Sequence, residues 1–348
     1  MHKISVAGLV CVDLRPELDE SARLAPGRLI EIGPLSMQLG GMVGNTGENL
    51  LDLKVPVRLE CGVGADELGQ YVRDSLQAQG ADIGGIRSVT GVGTSYSLIL
   101  EPHGVDRTIW HSIGANARFD GSDIDLDGVD ILHVGYPALL PALVANDAAP
   151  LDAVLTRARA AGVTTSIDLS YVDTASAASA LDWHTILPLI AGQSDVMSPS
   201  LDDLTSALRM DEPFSIELVD RMLTHLLEWG VAVAAISAGD QGLFLRTAHA
   251  ARLRKAGRAF ETNADDWAGQ NLHVPPAWHD VPVTTNGAGD ATSAGLLYGI
   301  SAGVGPEQSA QLAAACSGAR VSGRRTTAEV LTEICPDLAH LLQRTEGD

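Results

Sequence analysis

Short apolar runs alternate with Ala- and Leu-rich amphipathic segments along most of this chain. The apolar runs have the composition of buried strands, and the amphipathic segments have helical periodicity. In chain order, these segments comprise residues 4–10, 45–53, 58–62, 68–79, 131–134, 151–161, 164–168, 218–229 and 232–237. Strands that alternate with helices in this way favour a parallel sheet covered by helices. The pattern therefore predicts the α/β class.

Two stretches have a different residue pattern, which is the two-sided pattern of strands and lies between glycines and prolines. They cover residues 30–39 and residues 93–100 with 108–112. We expect strands of a small sheet that stands apart from the main one. Such a sheet would act as a lid that excludes water from a reaction. Residues 246–280 lack periodicity and are interpreted as a long loop or insertion.

Composition excludes several classes of partner and site. The 348 residues are 45% hydrophobic and 19% charged, which is typical of a globular chain. A formal net charge of −21 disfavours nucleic acid and anionic membranes as partners. With 20 Arg against 3 Lys and no Gly-Lys-Ser/Thr run, a P-loop is nearly excluded.

Targeting signals and cysteine spacing indicate the compartment. The four cysteines are too widely spaced for a CxxC pair and form no dense disulfide framework. The first residues do not resemble a signal peptide. No apolar run reaches the length of about 18 residues that a membrane span requires. We therefore expect a cytoplasmic protein with reduced thiols and no membrane partner.

The most informative motif is a side-chain-poor run with one carboxylate, Thr284-Thr285-Asn286-Gly287-Ala288-Gly289-Asp290, at the start of a segment of helical composition. A helix N-terminus presents unpaired N–H groups and roughly half a positive charge, so a phosphoryl group would be favoured there. Asp290 has two interpretations. It could cap the helix, or it could accept the proton of a hydroxyl that attacks the phosphoryl group.

Four further segments carry candidate residues, and each has a structural alternative. Asp13 follows the first strand, where open α/β sheets bind ligands, or it is a turn residue. The run Gly40-Gly41-Met42-Val43-Gly44-Asn45 either offers Asn45 to a polyol or forms a flexible turn with a cap. Residues 62–69 are interpreted as structural, with Asp66 as a helix cap. Residues 237–242 either admit a nucleotide close to the backbone or form a plain hairpin.

Taken together and in this order, these segments resemble the ribokinase-like, or PfkB-type, carbohydrate kinase family. The resemblance extends from about residue 4 to about residue 323, and Gly114-Ala115-Asn116 is a further match. It implies a three-layer α/β/α ribokinase-like fold with a mostly parallel sheet and a small β lid formed by about residues 14–39 and 93–115. It also implies one kinase domain over residues 1–345, which transfers the γ-phosphoryl group of ATP to a hydroxyl of a sugar.

The resemblance assigns roles to residues that match the family motifs. Asp290 would be the base, and Gly287, Ala288 and Gly289 would form the anion hole. The residues implied for substrate binding are Asp13, Gly40, Gly41 and Asn45, with Arg107 of the lid-like hairpin as a further candidate. The residues implied for the nucleotide site are Ser200, Ser237, Gly239, Gly242 and Ala314.

Departures from the family motifs concern the metal ions. Thr284 stands where the family usually has an Asp that is associated with a monovalent cation, which puts potassium activation in doubt. The family's Asn-x-x-Glu motif appears as Ser200-Leu201-Asp202-Asp203. Asp203 could still place Mg²⁺ through water. Asp168 at the end of its strand is interpreted either as a turn residue or as part of a magnesium network.

The sequence leaves several alternatives to the sugar kinase open. A nucleoside kinase belongs to the same class, and the 4% aromatic content weakly favours a plain sugar. A non-catalytic sensor of a sugar or nucleotide is motivated by Ser200 and Thr284, although Asp290 and the glycines are retained. A nicotinamide oxidoreductase is excluded because no G-x-G-x-x-G follows the first strand. A homodimer through the lid is also expected.

Overall fold

Strands and helices alternate as the sequence pattern predicts, in a computed structural model that describes residues 1–19, 26–102, 108–277 and 282–342. The strands are β1 (Ile4–Gly8), β2 (Cys11–Pro16), β3 (Leu35–Gly40), β4 (Val57–Gly64), β5 (Asp82–Val89), β6 (Tyr96–Leu100), β7 (Thr108–Ser112), β8 (Ile131–Gly135), β9 (Thr164–Asp168), β10 (Val196–Met197), β11 (Val233–Ser237), β12 (Leu243–Thr247) and β13 (Asn271–Val274).

The helices of the same described residues complete the fold. They are α1 (Gly41–Asp52), α2 (Glu67–Ala78), α3 (Ala145–Ala160), α4 (Trp183–Gly192), α5 (Leu201–Ala207), α6 (Ile216–Trp229), α7 (Ala250–Leu253), α8 (Ala288–Ser301), α9 (Pro306–Val321), α10 (Ala328–Ile334) and α11 (Ala339–Leu342). None of them is long and apolar enough to cross a membrane.

The main sheet has the strand order β13-β12-β11-β10-β9-β8-β1-β4-β5. The seven strands β11, β10, β9, β8, β1, β4 and β5, which are neighbours in this order, run parallel to one another. Strands β12 and β13 add an antiparallel edge. The chain leaves β1 toward β4 on one side and returns at β8 on the other. Ligands of open α/β sheets bind where the strand order reverses, at the carboxyl ends of the strands. That point lies between β1 and β8.

Side chains on successive positions of the central strands point to opposite faces and enter two separate hydrophobic cores. In β11, Val233 and Ala235 join the core under α1, α2, α8 and α9, whereas Ala234 and Ile236 join the core under α3, α4 and α6. Helices therefore cover both faces of the sheet. The predicted three-layer α/β/α class with a mostly parallel sheet is confirmed.

A second sheet of order β3-β2-β6-β7 leaves the carboxyl edge of the main sheet. Its first strand in the chain, β2, starts three positions after the end of β1. Strands β2 and β6 are parallel, and the two outer pairs are antiparallel. We call β2, β3, β6 and β7 the small sheet. It includes Cys11–Pro16, so it begins earlier in the chain than the predicted lid segment at residue 14.

Two expectations about secondary structure need correction. The segment 30–39 was expected to be a strand throughout, but only Leu35–Gly40 pairs with β2. Residues 246–280 are not a structureless loop as far as they are described, to residue 277. They contain α7 and β13, and their Phe260 and Trp267 are fully buried. The buried aromatic pair explains the order, because it anchors the segment without a regular sequence period.

Candidate active site

The motif that begins at Thr284 forms a turn and then the first turn of α8. Asn286 N–H donates to Thr284 Oγ1 at 3.1 Å, and Gly287 has a φ of 77°, which favours glycine. Gly287 occupies the N-cap position, and no side chain among the described residues caps this helix. The interpretation of Asp290 as the cap is therefore wrong. No cap side chain therefore competes with an anion at this end of the helix, where Ala288 N–H donates to Thr285 O at 3.3 Å.

Asp290 lies in the first turn of α8 and is almost fully buried, with 1% of its surface exposed. Asn45 Nδ2 of α1 donates to Asp290 Oδ2 at 2.8 Å, and Thr46 Oγ1 donates to Oδ1 at 3.3 Å. The glycine motif near the N-terminus and the motif near the C-terminus therefore meet at the Asp290 side chain.

Burial dominates the ionisation of Asp290. Removal from water raises the pKa of this carboxyl to about 6, against the hydrogen bonds from Asn45 and Thr46 and the positive charge of Arg320, which lower it. A pKa slightly below neutral leaves the group ionised at pH 7 and still basic enough to accept a proton. These are the properties of a general base.

A cleft of about 710 Å³ opens beside the first turn of α8. Its size is in the range of small-molecule sites. The residues predicted for the anion hole and the nucleotide all line it, although they come from four different parts of the chain: Gly287, Ala288 and Gly289, then Ser200, then Ser237, Gly239 and Gly242, and finally Ala314. Residues 237–242 form a hairpin between β11 and β12, and their role toward a nucleotide stays a prediction.

The residues predicted for the substrate lie around the root of the small sheet. Asp13 is inside β2 and not in a turn after β1, and it is buried. A Cβ at Gly40 would lie 2.5 Å from Asp13 Oδ1, and Gly41 has a φ of 75°. Glycine at position 40 therefore lets the carboxylate pack against the backbone before α1, whereas a Cβ at Gly41 would lie 2.7 Å from Leu9 O. Asn45, one turn later, contacts Asp290.

A polar row crosses the small sheet through Asp13. The strand registers align Gln38, Asp13, Ser97 and His111 as cross-strand neighbours on one face. Ser97 Oγ lies 3.2 Å from His111 Nδ1. Burial lowers the pKa of His111, and the negative charge of Asp13 opposes that effect. Sequence reasoning missed Ser97 and His111, because their alignment with Asp13 depends on the register of β6 and β7.

Ser200 and Asp203 have a structural role that the sequence comparison with the family did not suggest. Asp203 N–H donates to Ser200 Oγ at 3.1 Å, and Ser200 N–H donates to Asp203 Oδ2 at 2.9 Å. This reciprocal pair is a capping box at the start of α5. Both residues also line the cleft. The role of Asp203 toward a metal stays a prediction.

Tyr136 and Arg320 are further residues that sequence reasoning missed. Tyr136 follows β8 at the carboxyl edge, and this position was the one available signal. Arg320 Nε donates to Asn286 O at 3.0 Å and so braces the turn before α8. Arg107, a predicted substrate residue, lies outside the described residues.

Solved structures with the same fold include several kinases. Ribokinase from Arabidopsis thaliana, complexed with ribose and ATP, is 18% identical, with 96% of this chain and 98% of that chain covered and a TM-score of 0.73. A nucleoside kinase from Methanocaldococcus jannaschii is 17% identical, with coverage of 97% and 99% and a TM-score of 0.70. A putative ribokinase II from E. coli, in complex with ATP and Mg²⁺, is 19% identical, with coverage of 99% and 100% and a TM-score of 0.70.

The family itself is identified by a match along the sequence. The model of the pfkB family carbohydrate kinases matches residues 1–333. This range includes both the glycine pair before Asn45 and the run that ends at Asp290. The chain therefore belongs to the pfkB family of carbohydrate kinases.

Proposed function

We propose that this protein transfers the γ-phosphoryl group of ATP to a hydroxyl of a sugar or sugar-like alcohol. The observation that carries the proposal is the position of Asp290. Its carboxylate is hydrogen bonded to Asn45, a predicted substrate residue, and it follows directly on Gly289, which lines the cleft of the predicted nucleotide residues. A base between an acceptor site and an anion-binding turn is the arrangement that phosphoryl transfer requires.

The proposed reaction uses residues of three regions. ATP lies in the cleft with its γ-phosphate at the amides of Gly287–Gly289, which stabilise the charge that develops during transfer. Asp13 and Asn45, with the polar row of the small sheet, hold the acceptor through its hydroxyl groups. Asp290 accepts the proton of the attacking hydroxyl, and the oxygen then bonds to phosphorus as ADP leaves.

The donor set of the cleft fits Mg²⁺ that arrives with ATP and not a resident ion. Among the described residues, no group of three or more His, Cys, Asp or Glu side chains could hold a metal. Mg²⁺ at kinase sites keeps several waters and uses the substrate phosphates as ligands. Asp203, which lines the cleft, would then reach the ion through water. When bound, Mg²⁺ neutralises charge on the phosphates.

The acceptor is expected to be a plain sugar or polyol. The polar row offers a carboxylate, a hydroxyl and an imidazole, which suit several hydroxyl groups on one small molecule. A nucleoside remains the second candidate because a nucleoside kinase shares the fold. We propose no potassium requirement, because Thr284 Oγ1 serves as a hydrogen-bond acceptor for the local turn.

The test is a turnover assay with purified protein, ATP and Mg²⁺ across hexoses, pentoses, polyols and nucleosides. Acceptor-dependent formation of ADP, with a phosphorylated acceptor identified by ³¹P NMR, is the expected result. Asp290→Asn serves as the control for activity from a contaminating kinase. If no acceptor supports turnover while ATP or a sugar still binds by calorimetry, the protein is a sensor and the proposal is wrong.

We also propose a homodimer that forms through the small sheet. The strand registers place Leu35, Met37, Tyr96 and Trp110 on the face opposite the polar row. All four are exposed, and 47% of the Trp110 surface is accessible. An exposed apolar face of this kind is typical of an interaction site. A second copy of the chain presents the same face, so the two faces can pack against each other.

Replacement of Trp110 by Glu is expected to convert the dimer to a monomer, because it places a charge in the middle of that apolar face. Light scattering after size exclusion measures the mass. Ile216→Glu, which changes an exposed apolar residue on the distant helix α6, should leave the dimer intact. A wild-type protein that elutes as a monomer at micromolar concentration would refute the dimer.

A further inference from the structure

Three buried side chains form a hydrogen-bonded chain between helix α8 and the main sheet. Ser293 Oγ of α8 donates to Asp168 Oδ2, at the end of β9, at 3.1 Å. Ser293 Oγ also lies 2.7 Å from Oγ of Ser198, which directly follows β10. Asp168 and Ser198 each expose 3% of their surface, and Ser293 exposes none. The chain therefore joins the ends of two parallel strands to α8, away from water.

Asp168 also holds the loop that follows β9. Its Oδ1 accepts from Leu169 N–H at 2.9 Å, and Val172 N–H further along the loop donates to Ser206 Oγ of α5 at 3.0 Å. Asp168 and Leu169 both line the cleft. The sequence offered two interpretations of Asp168, a turn residue or part of a magnesium network. The contact with Ser293 belongs to neither of them.

Both ends of the chain lie next to residues of the proposed reaction. Ser293 follows Asp290 by three positions, so the two are neighbours one turn apart on α8. Ser198 precedes Ser200, which lines the cleft, by two positions. Asp290 itself is bonded to α1, so the chain is a second attachment of α8, to different elements. It fixes the helix relative to the strand ends at the cleft.

We propose that Asp168 is a positioning residue: through Ser293 it fixes the place of the base Asp290 relative to the cleft at the ends of β9 and β10. The inference rests on the proposed phosphoryl transfer. It differs from the magnesium network, in which Asp168 would act by its negative charge. Position matters because a shift of about 1 Å between reacting groups can lower a rate by roughly 100-fold.

The surroundings of Asp168 favour a neutral side chain. Burial first, and then the carboxylates of Asp203 and Asp290, raise the pKa of Asp168 well above its usual value. An Asn side chain would keep both hydrogen bonds, because its Oδ1 accepts from Leu169 N–H and its Nδ2 donates to Ser293 Oγ. A positioning role therefore predicts that an amide can replace the carboxyl group.

The test compares Asp168→Asn with Asp168→Ala in the assay with ATP, Mg²⁺ and the acceptor. The amide should keep kcat within about threefold of wild type, because both hydrogen bonds are kept. Alanine removes them and should lower kcat by roughly 100-fold, while the KM values and the Mg²⁺ concentration for half-maximal rate change less than about twofold. If the amide lowers kcat as strongly as alanine, Asp168 acts by its charge and the positioning role is wrong.

Ser293→Ala tests the chain from the side of the helix and decides the question even if Asp168→Ala does not fold. It removes one hydroxyl where Ala is a favourable helix residue, and kcat should fall by roughly tenfold with unchanged KM values. The double variant should lose no more than Asp168→Ala alone, because members of one hydrogen-bond network are not additive. Ser301→Ala is the matched control: Ser301 is also buried on α8, but its Oγ donates to Tyr298 O of the same helix at 2.9 Å, so the rate should not change.

The outcomes separate this role from the kinase activity itself. Wild-type turnover together with a full rate in Ser293→Ala, whose folding is checked by urea unfolding, would refute the positioning role and leave the kinase in place. Additive losses in the double variant would refute it as well. A wild type without turnover on any acceptor would refute the kinase, and this role with it.

Discussion

Asp290→Asn is expected to lower kcat by roughly 10²- to 10⁴-fold, the usual contribution of a general base. The amide keeps the shape of the side chain but cannot accept the proton of the substrate hydroxyl. The proposed substrate contacts of Asn45 and Asp13 are not removed by this change, so the KM values should change little. Steady-state and single-turnover measurements of ADP formation check this. A loss of less than tenfold would show that Asp290 is not the base.

Asp120→Asn is the matched control for this substitution. Asp120 is exposed, and its carboxylate accepts hydrogen bonds from Ser122 N–H at 2.9 Å and from Ser122 Oγ at 2.7 Å. The same chemical change there should leave kcat within experimental error. A similar loss in both variants would indicate a general effect of the amide on folding.

The same carboxyl makes activity and stability respond to pH in opposite directions. The pKa of Asp290 is raised in the folded state to about 6 from its ordinary value of 3.8, so folding favours the protonated form. Wild-type kcat/KM should therefore fall tenfold per pH unit below about pH 6. Stability is lost as pH rises from the unfolded to the folded pKa, because ionisation inside the protein is unfavourable.

Asp290→Asn lacks this ionisation. The difference between its free energy of unfolding and that of wild type should therefore shift in favour of the variant as pH rises. The expected relative gain between about pH 5 and about pH 7.5 is roughly 1 kcal/mol. Urea unfolding of both proteins at the two pH values measures it. A difference that does not change with pH would mean that the Asp290 pKa is not raised in the folded protein.

The sequence predicted the parts of the site that sit in local motifs. The turn with Gly287, the start of α1 at Gly41 and the hairpin at Ser237 each depend on a few neighbouring residues with special backbone geometry, and glycine spacing reports that geometry. The α/β class followed from strand and helix periods, which also act over short distances.

Contacts between distant segments could not be predicted from one sequence. The bond between Asn45 and Asp290 joins positions 245 residues apart, and the row through Asp13 and His111 requires the register of three strands. Tyr136 lines the cleft in a left-handed backbone conformation that no residue type nearby signals. The sequence around Trp267 has no regular hydrophobic period, because buried aromatic packing holds this segment in place.

Gly295→Ala should destabilise the protein by about 1–3 kcal/mol, although Ala is the better helix former by up to about 1 kcal/mol. Gly295 and Gly299 lie one turn apart on the face of α8 that packs against α9. A Cβ at Gly295 would be 2.6 Å from Leu312 O and 2.7 Å from Ala313 Cα. Both atoms belong to backbone, so the two helices would have to separate.

The separation should also reach the chemistry, because α8 carries Asp290 and α9 carries Arg320 and Ala314 of the cleft. A shift of about 1 Å between reacting groups can lower a rate by roughly 100-fold. Urea unfolding and kcat of Gly295→Ala measure the two effects. Gly305→Ala is the control, since Gly305 has a φ of −69° and its Cβ would meet no atom within 4 Å. If Gly295→Ala proved more stable than wild type, helix propensity would outweigh the contact, and close approach of α8 and α9 would not be what positions the base.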